Sequence, residues 1–314
     1  LTTISAKIIT DSISPEGKRL PTKYLRYPLV IHAELKTHRV FSTNSRSSRA
    51  VPAEKMIQEA LDDPFIPLHW GAAQKGMQAY KECNAPIVFY EDAIGCDNYS
   101  YHTSREAAWL AARNNAVDSA WGFHKAGYAK QIVNRLLAPF LHIDTLVTAT
   151  EWDNFFELRD HHAAEPHMQM LAKAMKRALA ESTPEDLQPG EWHLPYADDA
   201  DSFNAAAQYV GKEFPNSPGP DFNYDRIQET LRRLSAARCA RISYAPFDGE
   251  GSIEAELKRY DTLIEATPIH ASPVEHQATP DKWFPADMCW GCAELHGNFD
   301  GWIQNRKLIE MEVA

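Results

Sequence analysis

The chain has 314 residues, 44% hydrophobic and 24% charged, a balance that excludes disorder as its main state and suits one large domain or two ordinary ones. Its 32 Lys and Arg against 43 Asp and Glu leave a net charge of −11. Such a field repels nucleic acid in bulk, so a phosphate-bearing ligand needs a local basic cluster. No run approaches the roughly 18 apolar residues of a membrane span, and no secretory signal pattern is present. Five cysteines, an odd number and mostly far apart, are no disulfide framework. A soluble cytoplasmic protein is the expectation.

In chain order, a β-rich run within 24–36 reads as a strand entering the core. A polar stretch over 37–49 precedes a helix over 53–61 and a loop over 63–76. Alanine and regularly spaced apolar residues predict a long helix over 104–125, then a short one over 129–137 stopped by Pro139. A strand over 143–150 is followed by helix-forming residues over 153–180, with Pro166 as a kink or break. Prolines, glycines and acidic pairs over 184–224 suggest a surface insertion. A helix over 225–237, a short strand over 240–244, a helix over 253–266 and a strand over 301–309 complete the reading. The fold class expected is α/β of the α+β type, a mixed or antiparallel sheet flanked by helices in a single domain over 1–314.

The chemistry concentrates in Thr37-His38-Arg39-Val40-Phe41-Ser42-Thr43-Asn44-Ser45-Arg46-Ser47-Ser48-Arg49, which carries +3 in a chain of −11. Guanidinium forks match phosphate oxygens and hydroxyls fill the remaining acceptor sites. These residue types leave two readings open: a phosphate site, and a solvated loop capping the next helix. Elsewhere, Cys289-Trp290-Gly291-Cys292 with His296 starts like a zinc or redox site but lacks a second C-x-x-C. His161, His162, Glu165 and His167 do not share one helix face. No metal is expected.

Read as x-His-Arg-x-x-Ser-x-Asn-x-x-Ser-x-Arg, the polar stretch resembles the signature of the flavin-dependent thymidylate synthases, the ThyX family, with Thr37 where the family has its first Arg. Arg135-Leu136-Leu137-Ala138-Pro139 resembles the family's Arg-x-x-x-Pro segment. Asn154-Phe155-Phe156-Glu157-Leu158-Arg159 followed by Ala164 resembles its Asn-x-x-x-Leu-Arg helix. His270-Ala271-Ser272-Pro273-Val274-Glu275-His276 resembles its His-x-Ser/Thr-Pro-Phe-Glu-His loop. In the family that loop precedes the signature, whereas here it follows, which suggests a circular permutation and predicts that 301–309 pairs in one sheet with the strand near 27–35. Thr150 stands where the family has a second Arg.

The resemblance implies a ThyX-like fold and reductive methylation of dUMP to dTMP. Methylenetetrahydrofolate would give the carbon, FAD the hydride, and NADPH the electrons that restore the flavin. It implies dUMP binding by Glu34, Ser45, Ser47, Ser48, Arg49, Arg135 and Arg159, with Arg159 as the catalytic group that polarises the base. FAD would be held by His38, Arg39, Asn44, Asn154 and Ser272, with His270 near flavin and folate. A homotetramer with active sites between subunits is implied, with no nucleic-acid or membrane partner. Two alternatives are a related flavin enzyme adding methyl or hydroxymethyl to UMP or another pyrimidine nucleotide, and a flavin- or nucleotide-binding protein without catalysis.

Overall fold

A computed structural model describes residues 4–76, 81–91, 99–242 and 251–313. Its first elements are an antiparallel hairpin, β1 (Ser5–Ile13) and β2 (Arg19–Pro28). Gly17 closes the turn at a φ of +76°, a backbone region that glycine enters without a Cβ clash, and its N–H bonds Ser14 O at 2.9 Å. Beyond β2 the chain coils into α1 (His32–Leu35) and re-extends as β3 (Ser42–Ser45). The strand expected within 24–36 thus stops at Pro28, which has no N–H to continue a ladder, and the polar stretch after it contains a strand of its own.

The helix α2 (Ala53–Asp62) leads to the paired strands β4 (Ile87–Glu91) and β5 (Tyr99–Thr103). Ser104 then caps α3 (Arg105–Lys125) by accepting from Ala107 N at 3.1 Å. After α4 (Lys130–Leu136) comes β6 (His142–Thr148). The helical run over 153–180 is broken: α5 (Asp153–Arg159) ends, and Pro166 becomes the first residue of α6 (Pro166–Glu181), where its missing N–H costs nothing. There follow β7 (Glu185–Asp186), α7 (Ala200–Glu213), α8 (Pro220–Ala240) and α9 (Ile253–Ile264). The chain closes with short strands β8 (Ala278–Pro280), β9 (Trp283–Phe284), β10 (Cys289–Trp290) and β11 (Trp302–Gln304), then α10 (Asn305–Val313). No described helix is long and apolar enough to cross a membrane.

The main sheet has strand order β3-β6-β2-β1-β7; its pairs are antiparallel except β1 with β7. It is a mixed sheet with helices against it, as the α/β expectation requires. On one face Leu25, Tyr27, Ile143 and Val147 pack against Phe155 and the α6 stripe Met168, Leu171, Ala172 and Met175, a helical spacing of three and four. Lys23 shares that face, wholly buried, with Nζ 3.2 Å from the centre of the Trp152 ring; burial pulls its pKa well down.

The opposite face carries a buried chain of hydrogen bonds. His193 reaches Ser12 Oγ through Nδ1 (2.8 Å) and Thr22 Oγ1 through Nε2 (2.7 Å). Thr22 meets Thr148 at 2.7 Å, and Thr148 meets His276 Nδ1 at 2.8 Å. Burial pushes both histidines down to about 3, so both are neutral in the fold.

Several expectations are corrected here. The segment 184–224, expected as a surface insertion, is mostly exposed or half-buried but anchors itself through buried Leu187, His193, Leu194, Ala206 and Val210, and α7 and α8 share a buried cluster. The helix expected over 225–237 begins at Pro220 and runs to Ala240, so 240–242 is not strand; residues 243 and 244 lie outside the described residues. Of 301–309 only Trp302–Gln304 is strand, and it pairs with β8 rather than joining the main sheet. The shared-sheet consequence of a permutation is therefore wrong. Its physical counterpart is side-chain packing: Trp302 and Phe299 bury against Leu20 of β2.

Because His193 and His276 lie far below their unfolded value of about 6.5, they favour folding above that pH. Their contribution is lost as pH falls from about 6.5 toward 3, where the unfolded chain binds more protons. Urea denaturation at pH 5.5 is expected to show a stability about 2–3 kcal/mol lower than at pH 7.5, summed over the two groups. His193→Gln should remove roughly half of that pH dependence.

Candidate functional site

The edge strand β3 sorts the polar signature between two faces by the period of two of an extended chain. Ser42 and Asn44 face the C-terminal segments. Ser42 Oγ donates to Asn298 Oδ1 (3.2 Å), Asn44 Nδ2 donates to the Cys239 carbonyl (2.7 Å), and Ser272 Oγ donates to Asn44 Oδ1 (3.3 Å). This brings the late loop carrying Ser272 to the signature strand. It also commits the buried Asn44 amide to protein partners, so Asn44 sits behind the surface and pins the loop. Ser45 faces the other way and accepts from Thr145 Oγ1 at 3.0 Å.

After β3, Arg46 N bonds Asp144 O at 2.9 Å and the chain turns through Ser47–Ala50. Here a cavity of about 260 Å³ is lined by Arg46, Ser47, Ser48, Arg49 and Arg135, with His32 and His142. Arg46 is held by both oxygens of Glu59, each at 2.7 Å. Arg49 and Arg135 are exposed, and among the described residues neither side chain has a protein partner. Two uncommitted guanidinium groups on one cavity are suited to a phosphate. Asn134 holds the turn in place, its buried amide donating to Ser48 O (2.7 Å) and Val51 O (3.1 Å). His142 is buried with no hydrogen bond to either ring nitrogen, its Nδ1 lying 3.7 Å from Asp63. Burial and Arg26 lower its pKa.

Arg159, at the end of α5, forms an ion pair with Glu34 of α1 and donates to His38 Nε2 (3.0 Å) and Thr37 Oγ1 (3.3 Å). The His38 ring lies edge-on to Phe155 at 4.9 Å and against Phe41 at 5.7 Å. Burial, then the Arg159 charge, lowers its pKa, so the neutral ring accepts at Nε2. Thr37, where an Arg was expected, accepts from Arg159 and donates to Glu34 O at 2.7 Å, which an arginine side chain cannot do. Thr150, the second such position, accepts from Asp300 N at 3.0 Å.

The expected residues therefore assemble unevenly. Ser47, Ser48, Arg49 and Arg135 share one cavity, while Glu34, His38 and Arg159 form one contact group. Ser45 points from one face of β3 toward Thr145, while Ser272 meets Asn44 on the other. Arg39, Asn154 and His270 are exposed. Arg39 adjoins His38 and Asn154 adjoins Phe155, which packs on His38, so both lie beside the Arg159 group. His270 is tied by its backbone N–H to Leu263 O at 3.0 Å. The exposed cation and amide beside an uncharged ring suit a flavin nucleotide's phosphate and ring edges. Sequence reasoning missed His32, Asn134 and His142; the last two are buried polar residues that no surface-binding pattern flags. The C-x-x-C segment finds a structural use. Asp281 accepts from Lys282 N (2.7 Å), Cys292 N (2.9 Å) and His296 Nε2 (2.8 Å).

Residues 22–185 match the sequence model of a family described as thymidylate synthase complementing protein. The match spans the signature, the Arg135 segment and Arg159, and stops short of the Ser272 loop. Solved structures similar to this chain include a UMP/dUMP methylase, PolB, from Streptomyces cacaoi bound with 5-Br UMP. It shows 15% identity and a TM-score of 0.41, over 58% of this chain and 90% of that one. The same methylase bound with 5-Br dUMP shows 15% identity and a TM-score of 0.41, over 58% of this chain and 91% of that one. No curated protein matches.

Replacing Asn134 by Leu leaves the buried Val51 carbonyl and the half-buried Ser48 carbonyl without their donor, at a cost of about 1–3 kcal/mol in urea denaturation. The same variant is expected to weaken inorganic phosphate binding measured by calorimetry, because the turn bearing Arg49 loses its anchor.

Proposed function

The chain belongs to the thymidylate synthase complementing protein family, the flavin-dependent thymidylate synthases, and from that membership we propose that it methylates dUMP at C5 to give dTMP. The observation that carries this reading is the pairing of two features. Arg49 and Arg135 stand uncommitted on one cavity, and the short helix α1 links that cavity, through His32, to the Glu34–Arg159 pair.

The 5′-phosphate would rest on Arg49 and Arg135, with the Ser47 and Ser48 hydroxyls as further donors. The uracil edge presents acceptor, donor and acceptor in turn. Glu34 and Arg159 side by side offer the complement: a carboxylate for N3–H and guanidinium N–H groups for a carbonyl oxygen. C5 of uracil gains nucleophilic, enolate character when negative charge is stabilised on a carbonyl oxygen while N3 keeps its hydrogen, and a preorganised guanidinium does that without reorganisation. His38, neutral and packed between two phenyl rings, keeps Arg159 aimed. Bound FAD would supply the hydride and methylenetetrahydrofolate the carbon, with NADPH as the external reductant; His38, Arg39, Asn154 and Ser272 are the residues proposed to hold the flavin, with His270 beside the folate.

Two of the cysteines are unsuited to act as nucleophiles. Cys239 is wholly buried and burial pushes its thiol up, and burial and Asp281 raise Cys292. Neither is poised as a thiolate. The exposure of Arg39, Asn154 and His270 supports completion of the site by neighbouring subunits of a homotetramer.

Protein purified in the dark is expected to be yellow and to release tritium from dUMP labelled at C5 when given methylenetetrahydrofolate and NADPH. Arg159→Ala should lower that rate on the order of 10²-fold or more while dUMP still binds. A colourless protein that FAD cannot reconstitute would overturn the reading.

A further inference from the structure

His32 belongs to none of the motifs above, yet it lines the cavity that carries Arg49 and Arg135. Its hydrogen-bonding state can be worked out from its neighbours. Thr145 Oγ1 donates to Ser45 Oγ at 3.0 Å. A hydroxyl has one hydrogen, so Thr145 can only accept from the Tyr27 hydroxyl, 2.8 Å away. The phenol hydrogen is thereby spent, and the Tyr27 oxygen can only accept from His32 Nδ1, also at 2.8 Å. Tyr27 and Thr145 are wholly buried, so water does not compete for either. The chain of hydrogens runs one way, from His32 through Tyr27 and Thr145 to Ser45. Run in the direction of the Thr145–Ser45 bond, the chain places the hydrogen of His32 on Nδ1 and, in the neutral ring, leaves a lone pair on Nε2. Among the described residues the ring's hydrogen bond is made at Nδ1, and Nε2 has no protein partner.

That lone pair is out of character with the accessible groups around it, since the unpartnered ring nitrogens of His142 on the same cavity are buried. Arg46, Arg49, Arg135 and the serine hydroxyls all donate, and a phosphate dianion answers them with acceptors only. A bare acceptor on the same cavity calls for a ligand group bearing a hydrogen. His32 also lies on the same helical turn as Glu34, the partner of Arg159.

We propose that His32 reads the sugar of the bound nucleotide, its Nε2 accepting a hydrogen bond from a ribose hydroxyl. The inference rests on the nucleotide reading above and adds a specificity residue to it. Among pyrimidine nucleotides, UMP offers 2′ and 3′ hydroxyls, dUMP only the 3′, and 2′,3′-dideoxy-UMP neither.

Calorimetric titration of the flavin-loaded protein with these three compounds tests it. The dideoxy compound is expected to bind about three- to tenfold more weakly than dUMP, the size of one lost hydrogen bond that leaves its partner unpaired. In His32→Phe the gap should close to about twofold or less, because the acceptor is gone. Equal binding of dUMP and the dideoxy compound by the unaltered protein, or an unchanged gap in His32→Phe, would overturn the role of His32 and leave the nucleotide reading standing. Failure of all three to bind would overturn both. Nitrogen-15 NMR of the unaltered protein gives a readout free of any variant's folding. An unprotonated His32 Nε2 that responds to dUMP but not to the dideoxy compound is the expected result, and a protonated Nε2 overturns the proposal.

Discussion

Strand β6 is paired on both sides, with β2 and with β3, and the candidate site is positioned through it. Asp144 holds the backbone of Arg46, Thr145 ties Ser45 to Tyr27, and Thr148 ties Thr22 to His276. Since side chains alternate along a strand, a one-residue slip would exchange the two sets. The hydroxyls beside the cavity would turn toward α8, and the buried histidine chain would lose its partners. The ladder is therefore both a structural unit and the device that assigns each signature residue to a side.

Electrostatics refine that assignment. The +3 of the signature stretch does not act as one charge. Glu59 neutralises Arg46 within the fold, Arg39 lies out at the surface, and Arg49 is joined at the cavity by Arg135 from a separate helix. The uncommitted pair on the cavity is thus assembled from two distant parts of the chain. In a protein of net charge −11, such a pair concentrates favourable potential at one place. The histidines obey the complementary rule, for burial keeps His193 and His276 neutral, and uncharged rings can be stacked into a core that would reject imidazolium.

Much of the architecture was legible in local pattern. The break at Pro166, the cap at Ser104 and the stop before Pro139 follow from backbone chemistry that acts within a few residues. Other parts were not. The hairpin through Gly17 was missed, although Pro15-Glu16-Gly17 is a turn signal. The segment 184–224 looked like surface because its prolines and acids mask widely spaced apolar residues that α7 and α8 bury together. Residues 301–309 looked like strand because an apolar run does not say whether it will extend or coil.

The order of residues alone determined the family signature, the reservoir of guanidinium and hydroxyl groups, and the helices whose ends are marked by their own side chains. These depend on identity and short-range spacing, which a sequence states outright. Only the tertiary structure decided which arginines remain uncommitted, that Ser272 reaches Asn44 from far along the chain, that Thr37 serves Arg159, and that His32 meets Tyr27 beside the cavity. Each of these depends on what occupies the space beside a side chain. That neighbour comes from a distant part of the sequence, brought in by strand register and burial rather than by any local rule.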